Sequence, residues 1–245
     1  MKQQKTDLEK YLIQQRELLG SVLFINTHHQ KQSSIVSPSI ELEHSPMSIN
    51  PAWQSADTLP ILHDHIHTCM ECRLGATRNS FVFGSGNPNA DIMIIGEAPG
   101  ADEDAQGLPF VGAAGKLLTK ILEAIEFSRD EVYIANIVKC RPPENRRPEK
   151  DEIAQCEPYL QKQIELIKPA FILALGLTAV NTLFKKNHQM QEIRGKVMNY
   201  HGVSLLATYH PAALLRNPNW KKPAWEDVQL LRSMYDEYKK IQSGK

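Results

Sequence analysis

The sequence predicts an α/β fold: a three-layer α/β/α sandwich around a central, mostly parallel four-stranded sheet. Three observations carry this. Apolar runs of strand length recur at residues 91–96, 132–138, 170–176 and 203–208. Amphipathic helical stretches separate them. The runs are apolar almost throughout rather than alternating with polar residues, which is the pattern of strands covered on both faces.

Taken in order, residues 7–23 set Leu8, Tyr11, Leu12, Leu18 and Leu19 near helical spacing and predict one amphipathic helix. Residues 26–57 are rich in Ser, His, Gln, Asn and Pro with few large apolar side chains, a composition that does not offset the entropy of ordering and reads as a linker. The expected organisation is therefore an N-terminal extension over 1–60 and a single catalytic domain over 61–245. The extension's helix has a face for its own domain or for an unknown protein partner.

The first strand, 91–96, ends at Gly96. A helix over 116–127 carries Leu117, Leu118, Ile121, Leu122 and Ile125 on one stripe, and 132–138 resumes a strand. The helix over 148–168 presents Ile153, Cys156, Leu160, Ile164 and Ile167 on one face, with Pro158 predicting a kink or restart. The third strand, a short helix over 178–185, the fourth strand and a closing helix over 223–241 complete the order.

A chain of 245 residues with 42% apolar content can bury one good core. Lys+Arg and Asp+Glu balance at 28 each, so any nucleic-acid surface must come from local clustering. The N-terminus mixes Lys2, Lys5, Asp7, Glu9 and Lys10 ahead of any apolar run, unlike a secretory signal, and the longest apolar stretch, 170–180, is too short to span a bilayer. A cytoplasmic monomer without a membrane segment is expected. Four cysteines in such a chain point to metal or redox chemistry before disulfides.

In parallel sheets ligands bind outside the carboxyl ends of the strands. Three segments converge there: Gly96-Glu97-Ala98-Pro99-Gly100 after strand one, Asn136 near the end of strand two, and Tyr209-His210-Pro211 after strand four. The glycine-rich loop offers backbone N–H groups to an anion, or is only a tight connection. It lacks the lysine and hydroxyl of a P-loop and the spacing of a dinucleotide site, which sets nucleotide binding aside. Phe110 suits stacking on a base or packing in the core. Asn136 interrupts an apolar strand, where its amide must find partners, either backbone groups or a ligand. His210 is one of nine histidines and carries no weight outside its context. Cys69 and Cys72 form a CxxC pair, and with Cys140 and Cys156 they make a four-thiolate set for zinc or an iron-sulfur cluster, or remain separate buried thiols.

The run Gly96-Glu-Ala-Pro-Gly-Ala-Asp-Glu-Asp-Ala-Gln-Gly-Leu-Pro-Phe-Val-Gly-Ala-Ala-Gly115, the run Asn136-Ile-Val-Lys-Cys-Arg-Pro-Pro143, and His210-Pro-Ala-Ala-Leu-Leu-Arg216 resemble, in this order and spacing, the family 4 uracil-DNA glycosylases. The resemblance runs from about His65 to the closing helix. It implies a hydrolase that acts on uracil-containing DNA, double- or single-stranded, and leaves an abasic site. Gly96, Glu97, Ala98, Phe110, Asn136 and His210 would form the uracil pocket. Phe110 would stack on uracil, Asn136 would read its edge, and His210 would stabilise charge at O2 as the base leaves.

Better-known relatives carry a water-activating Asp where this chain has Ala98, which leaves Glu97 as the nearest candidate to orient water. Gly100 stands where a pyrimidine-blocking aromatic is expected. Leu214, Leu215 and Arg216 would enter or flank the base stack, and Arg141, Arg146 and Arg147 would meet phosphates. The resemblance favours a 4Fe-4S cluster on Cys69, Cys72, Cys140 and Cys156, with zinc as the alternative. A rival reading from the residues is a metal-bearing nucleic-acid-binding module of the same fold without the chemistry.

Overall fold

The apolar runs become strands because their side chains have partners on both faces. In a computed structural model, which describes residues 51–244, β1 is Ser85–Gly86, β2 Ile92–Gly96, β3 Tyr133–Asn136, β4 Phe171–Leu175, β5 Val197–Tyr200 and β6 Val203–Thr208. The sheet order is β1-β3-β2-β4-β6-β5. The inner four strands are parallel, with Gly96 beside Asn136 at the carboxyl end of β2 and β3. β1 and β5 close the edges antiparallel. The four predicted strands are thus the inner four of a six-stranded sheet.

Helices α1 (Leu59–Ile66), α2 (Ala101–Gln106), α3 (Ala113–Ala124), α4 (Lys150–Ile167), α5 (Leu177–Phe184), α6 (Met190–Ile193), α7 (Pro211–Arg216) and α8 (Lys221–Ser243) connect and cover the strands. Alternation along β2 divides the core. Met93 and Ile95 pack with Leu62 of α1, Leu160 of α4 and Val180 of α5, while Ile92 and Ile94 pack with Leu118 and Leu122 of α3 and Leu231 of α8. α4 runs on through Pro158, because one lost ladder bond is outweighed by a buried face of Cys156, Tyr159, Leu160, Gln163 and Ile167.

The predicted helix over 7–23 lies outside the described residues. The linker reading of 26–57 extends past the point where packing begins. Trp53 meets Tyr159 edge-on at 5.0 Å, Ala56 and Leu59 are buried, and Thr58 caps α1 by accepting from the Ile61 N–H. His63 and His65 belong to α1. Among the described residues no helix is long and apolar enough to cross a membrane.

From β2 the chain moves to β3 on one side, and from β3 it crosses to β4 on the other side of β2. A crevice opens at that switch point, outside the carboxyl ends of the strands.

Candidate active site

The crevice holds a cavity of about 950 Å³. Glu97, Ala98, Phe110, Asn136 and His210 all line it, so the pocket residues expected from the sequence do come together. Gly96 lies beneath them: a side-chain carbon there would collide with Asn136 Oδ1 and the Phe110 ring, so only glycine lets the two meet over the strand end.

Asn136 is 1% exposed. Its Oδ1 is buried without a hydrogen-bond partner among the described residues. An unmet buried acceptor costs about 1–3 kcal/mol, so the position makes sense where a ligand donor arrives. The backbone beneath it is held from inside. Lys139, fully buried, donates from Nζ to the Asn136 carbonyl at 3.0 Å and to Gln163 Oε1 at 2.5 Å, and Gln163 Nε2 donates to the Phe83 carbonyl at 2.9 Å.

Phe110 has φ 54, a left-handed conformation that is uncommon for a residue with a Cβ and costs about 1–3 kcal/mol. Arg129 offsets it by donating to the carbonyls of Phe110 at 3.0 Å and Pro109 at 2.8 Å, charge-assisted bonds worth about 1.5–3 kcal/mol each. Glu103 completes the clamp. Its carboxylate accepts from the N–H groups of Val111 and Gly112, both at 2.9 Å, and of Gly100 at 3.0 Å. The two glycine-rich ends of the loop are thereby tied to one buried acid. Close packing finishes the job, since a Cβ on Gly115 would strike the Phe110 carbonyl.

His210 stands beside Gly176, at the end of β4, and its ring lies 5.6 Å from that of Phe110 at 34°. Its Nδ1 accepts from the Ala212 N–H at 3.2 Å, as the cap of α7. Burial, and then the charge of Arg216, lower its pKa to about 4. The ring is therefore neutral at pH 7, and with Nδ1 accepting, the proton sits on Nε2, leaving that atom as a donor. At the end of β6, two residues before His210, Thr208 donates from Oγ1 to Asp227 at 2.8 Å, and Arg194 pairs with the same carboxylate at 3.1 Å.

The DNA-contact candidates are sorted by their partners. Leu214 is 2% exposed and packs inward, whereas Leu215 is 48% exposed and Arg216 is exposed. Arg146 spends its guanidinium on buried Glu152, at 2.8 and 2.6 Å. Arg141 donates to Asn145 Oδ1 at 2.8 Å. Arg147 is exposed and lines the cavity.

Cys140 and Cys156 are buried, and Cys69 and Cys72 are half-buried against the same core. Burial first, and then Cys140 and Cys72, push the Cys156 thiol up to about 12, and burial together with Cys72 and Cys69 raises Cys140. Donors surround them. Arg78 reaches Cys140 Sγ at 3.2 Å, the Lys139 N–H reaches Cys156 Sγ at 3.2 Å, and the Glu71 N–H reaches Cys69 Sγ at 3.5 Å, the bonds that a thiolate-ligated centre uses. Among the described residues no group of three or more His, Cys, Asp or Glu side chains is set to hold a single metal ion.

Glu103, Arg129, Lys139, Gln163 and Asp227 were not singled out from the sequence. Only Glu103 left a local signal, three residues after the Gly100 cap, where an N3 glutamate accepts from the N-cap N–H, the glutamate half of a capping box.

A doubly wound sheet whose crevice pairs an unmet amide acceptor with an aromatic face and a neutral histidine donor defines an enzyme class that handles a single base. The chain belongs to the uracil DNA glycosylase superfamily, whose profile matches residues 83–229. It is 47% identical over 185 residues to a type-4 uracil-DNA glycosylase of Saccharolobus solfataricus, covering 72% of this chain and 86% of that protein. It is 44% identical over 187 residues to the type-4 enzyme of Sulfurisphaera tokodaii, covering 73% and 85%. To the type-4 enzyme of Thermotoga maritima it is 39% identical over 181 residues, covering 72% and 94%.

Proposed function

We propose that this chain is a DNA-repair glycosylase that hydrolyses the N-glycosidic bond of a flipped-out deoxyuridine, releasing uracil and leaving an abasic site. The observation that carries it is the unpartnered Oδ1 of buried Asn136. That oxygen accepts from uracil N3–H while the amide N–H donates to O4. Cytosine presents the reverse, an unprotonated N3 and an amino group, so each contact becomes donor against donor or acceptor against acceptor.

Phe110 stacks on the ring. When the C1′–N1 bond breaks, its electron pair passes to the base and gathers at O2, where the His210 Nε2–H donates more strongly than to the neutral base. Water adds to C1′ and loses its proton; Glu97, which lines the cavity, is the side chain assigned to orient it. Leu215 fills the gap in the base stack, and Arg147, Arg216 and Arg141 meet phosphates, while Arg146 shapes its loop through Glu152.

Cys69, Cys72, Cys140 and Cys156 hold a 4Fe-4S cluster; the soft donor set and its N–H···S bonds fit that group. When bound, it supplies a structural tie between the start of the domain and the arginine-bearing loop. The work of this domain is expected to be independent of residues 1–50.

Incubating the protein with uracil-containing and matched thymine-containing oligonucleotides, then treating with alkali, tests the activity. Strand breaks at uracil alone are expected; intact strands with retained DNA binding would instead favour a binding module. For the centre, four irons per chain and broad absorbance toward the blue are expected, and stoichiometric zinc without iron would overturn it.

A further inference from the structure

The outer wall of the cavity is formed by a segment to which no role has yet been given. After α7 the chain turns over Pro218–Trp220 and enters α8 at Lys221. Trp220 lies flat on Tyr209, with ring centroids 4.8 Å apart and planes within 14°. Tyr209 precedes His210 in the chain, and both aromatic residues line the cavity that holds Asn136. One face of the indole is thus occupied and oriented, and the residue is still 38% exposed, as is Trp225 one turn along α8.

Cations flank it in the chain. Arg216, Lys221 and Lys222 are exposed, and among the described residues none of them enters an ion pair. The carboxylates nearest in sequence, Glu226 and Asp227, are taken by Arg194. Exposed aromatic faces interleaved with unpaired cations suit a single strand of nucleic acid, whose bases stack on any π-face while its phosphates follow the positive charge. In a duplex the bases are already stacked on each other and are unavailable to such a surface.

We propose that the Tyr209–Trp220 stack, with Arg216, Lys221 and Lys222, is a binding platform for single-stranded DNA, on which an unpaired base beside the flipped uridine stacks. The proposal rests on the glycosylase reading for the position of the uridine, and on the platform's own residues for everything else.

Affinity for uracil-free oligonucleotides, single-stranded and duplex, tests it in the full chain by anisotropy of a labelled strand across a salt series. Trp220→Ala is expected to lower the ratio of single-strand to duplex affinity by roughly 5- to 150-fold, the range spanned by one lost base–aromatic stack, and Trp220→Phe to restore most of it. Lys221→Gln with Lys222→Gln, both on the surface, is expected to flatten the single-strand salt slope by about 1.4, from about 0.7 per phosphate contact. An unchanged ratio in Trp220→Ala, or an unchanged slope in the lysine variant, overturns the platform. Both effects in the variants, together with wild-type protein that releases no uracil from DNA, would overturn the glycosylase reading and leave the platform standing.

Discussion

Around the floor of the cavity, partners turned inward hold the chain in place: Lys139 and Gln163 under Asn136, and Arg129 and Glu103 around Phe110. At the lip, made by Arg216 and Trp220 of the cavity lining with their chain neighbours Leu215, Lys221 and Lys222, the side chains are exposed. On the reading proposed above, the contrast divides two tasks within one cavity. Discriminating one base from another needs hydrogen-bonding atoms fixed to a few tenths of an ångström, and here buried Lys139 and Glu103 and half-buried Arg129 supply that rigidity. Holding a variable strand needs surface that adapts, where screening makes each contact weak and replaceable.

The sharpest way to break this division is at Asn136. Asn136→Asp keeps the shape but sets a carboxylate oxygen against uracil O4, in a place where the Lys139 network keeps the backbone from yielding. Single-turnover uracil release is expected to fall on the order of 10³-fold or more, with discrimination against cytosine narrowed. A loss below tenfold would mean that the floor adapts after all.

A somewhat smaller effect belongs to His210. His210→Ala leaves base reading in place and removes a donor to charge that grows toward the transition state, so turnover is expected to drop roughly 10²-fold with DNA affinity little changed. Equal losses in binding and turnover would move His210 from the floor to the lip. Its pH dependence follows from the lowered pKa. Between an ordinary histidine value of 6.5 and about 4, the folded ring stays neutral while the unfolded one takes a proton. The wild-type rate should therefore show no His210 inflection near 6.5 on the acid side, only one approaching 4. Over the same window this residue's contribution makes stability fall as pH falls.

Much of the fold was legible because buried parallel strands leave uninterrupted apolar runs, and all four inner strands appear where those runs lie. The edges were not. β1 has only two residues, and β5 reads Val-Met-Asn-Tyr with Val197 and Asn199 exposed, so neither has the signature of a covered strand. α2 was hidden by Asp102, Glu103 and Asp104, which look like a solvated loop until two of them turn out to be buried as hydrogen-bond acceptors. In the site, Asn136 and His210 stood out through their motifs. Glu103, Lys139 and Arg129 did not, because a charge turned inward reads in sequence like one at the surface, and Arg129 and Lys139 also reach partners as distant as Pro109 and Gln163. Adjacent Leu214 and Leu215 could not be told apart without the phase of a six-residue helix, which turns one inward and the other out.

That hidden layer supplies the smallest and most discriminating test. Glu103 accepts three backbone N–H groups, so Glu103→Gln, nearly isosteric, turns one acceptor into an amide that faces an N–H donor and removes the charge assistance from the rest. Stability is expected to fall by about 1–3 kcal/mol, measured by denaturant unfolding. If the clamp only holds the fold, uracil release at saturating substrate well below the melting temperature should be unaffected. If it also fixes Phe110 in its left-handed conformation, the ring loses its set relation to His210, and the chemical step should slow by roughly tenfold while DNA affinity, governed by the untouched lip, stays within about twofold. A stability loss with an unchanged single-turnover rate would show that the floor tolerates a loosened loop, and the rigid part of the site would then shrink to Asn136, His210 and the network beneath them.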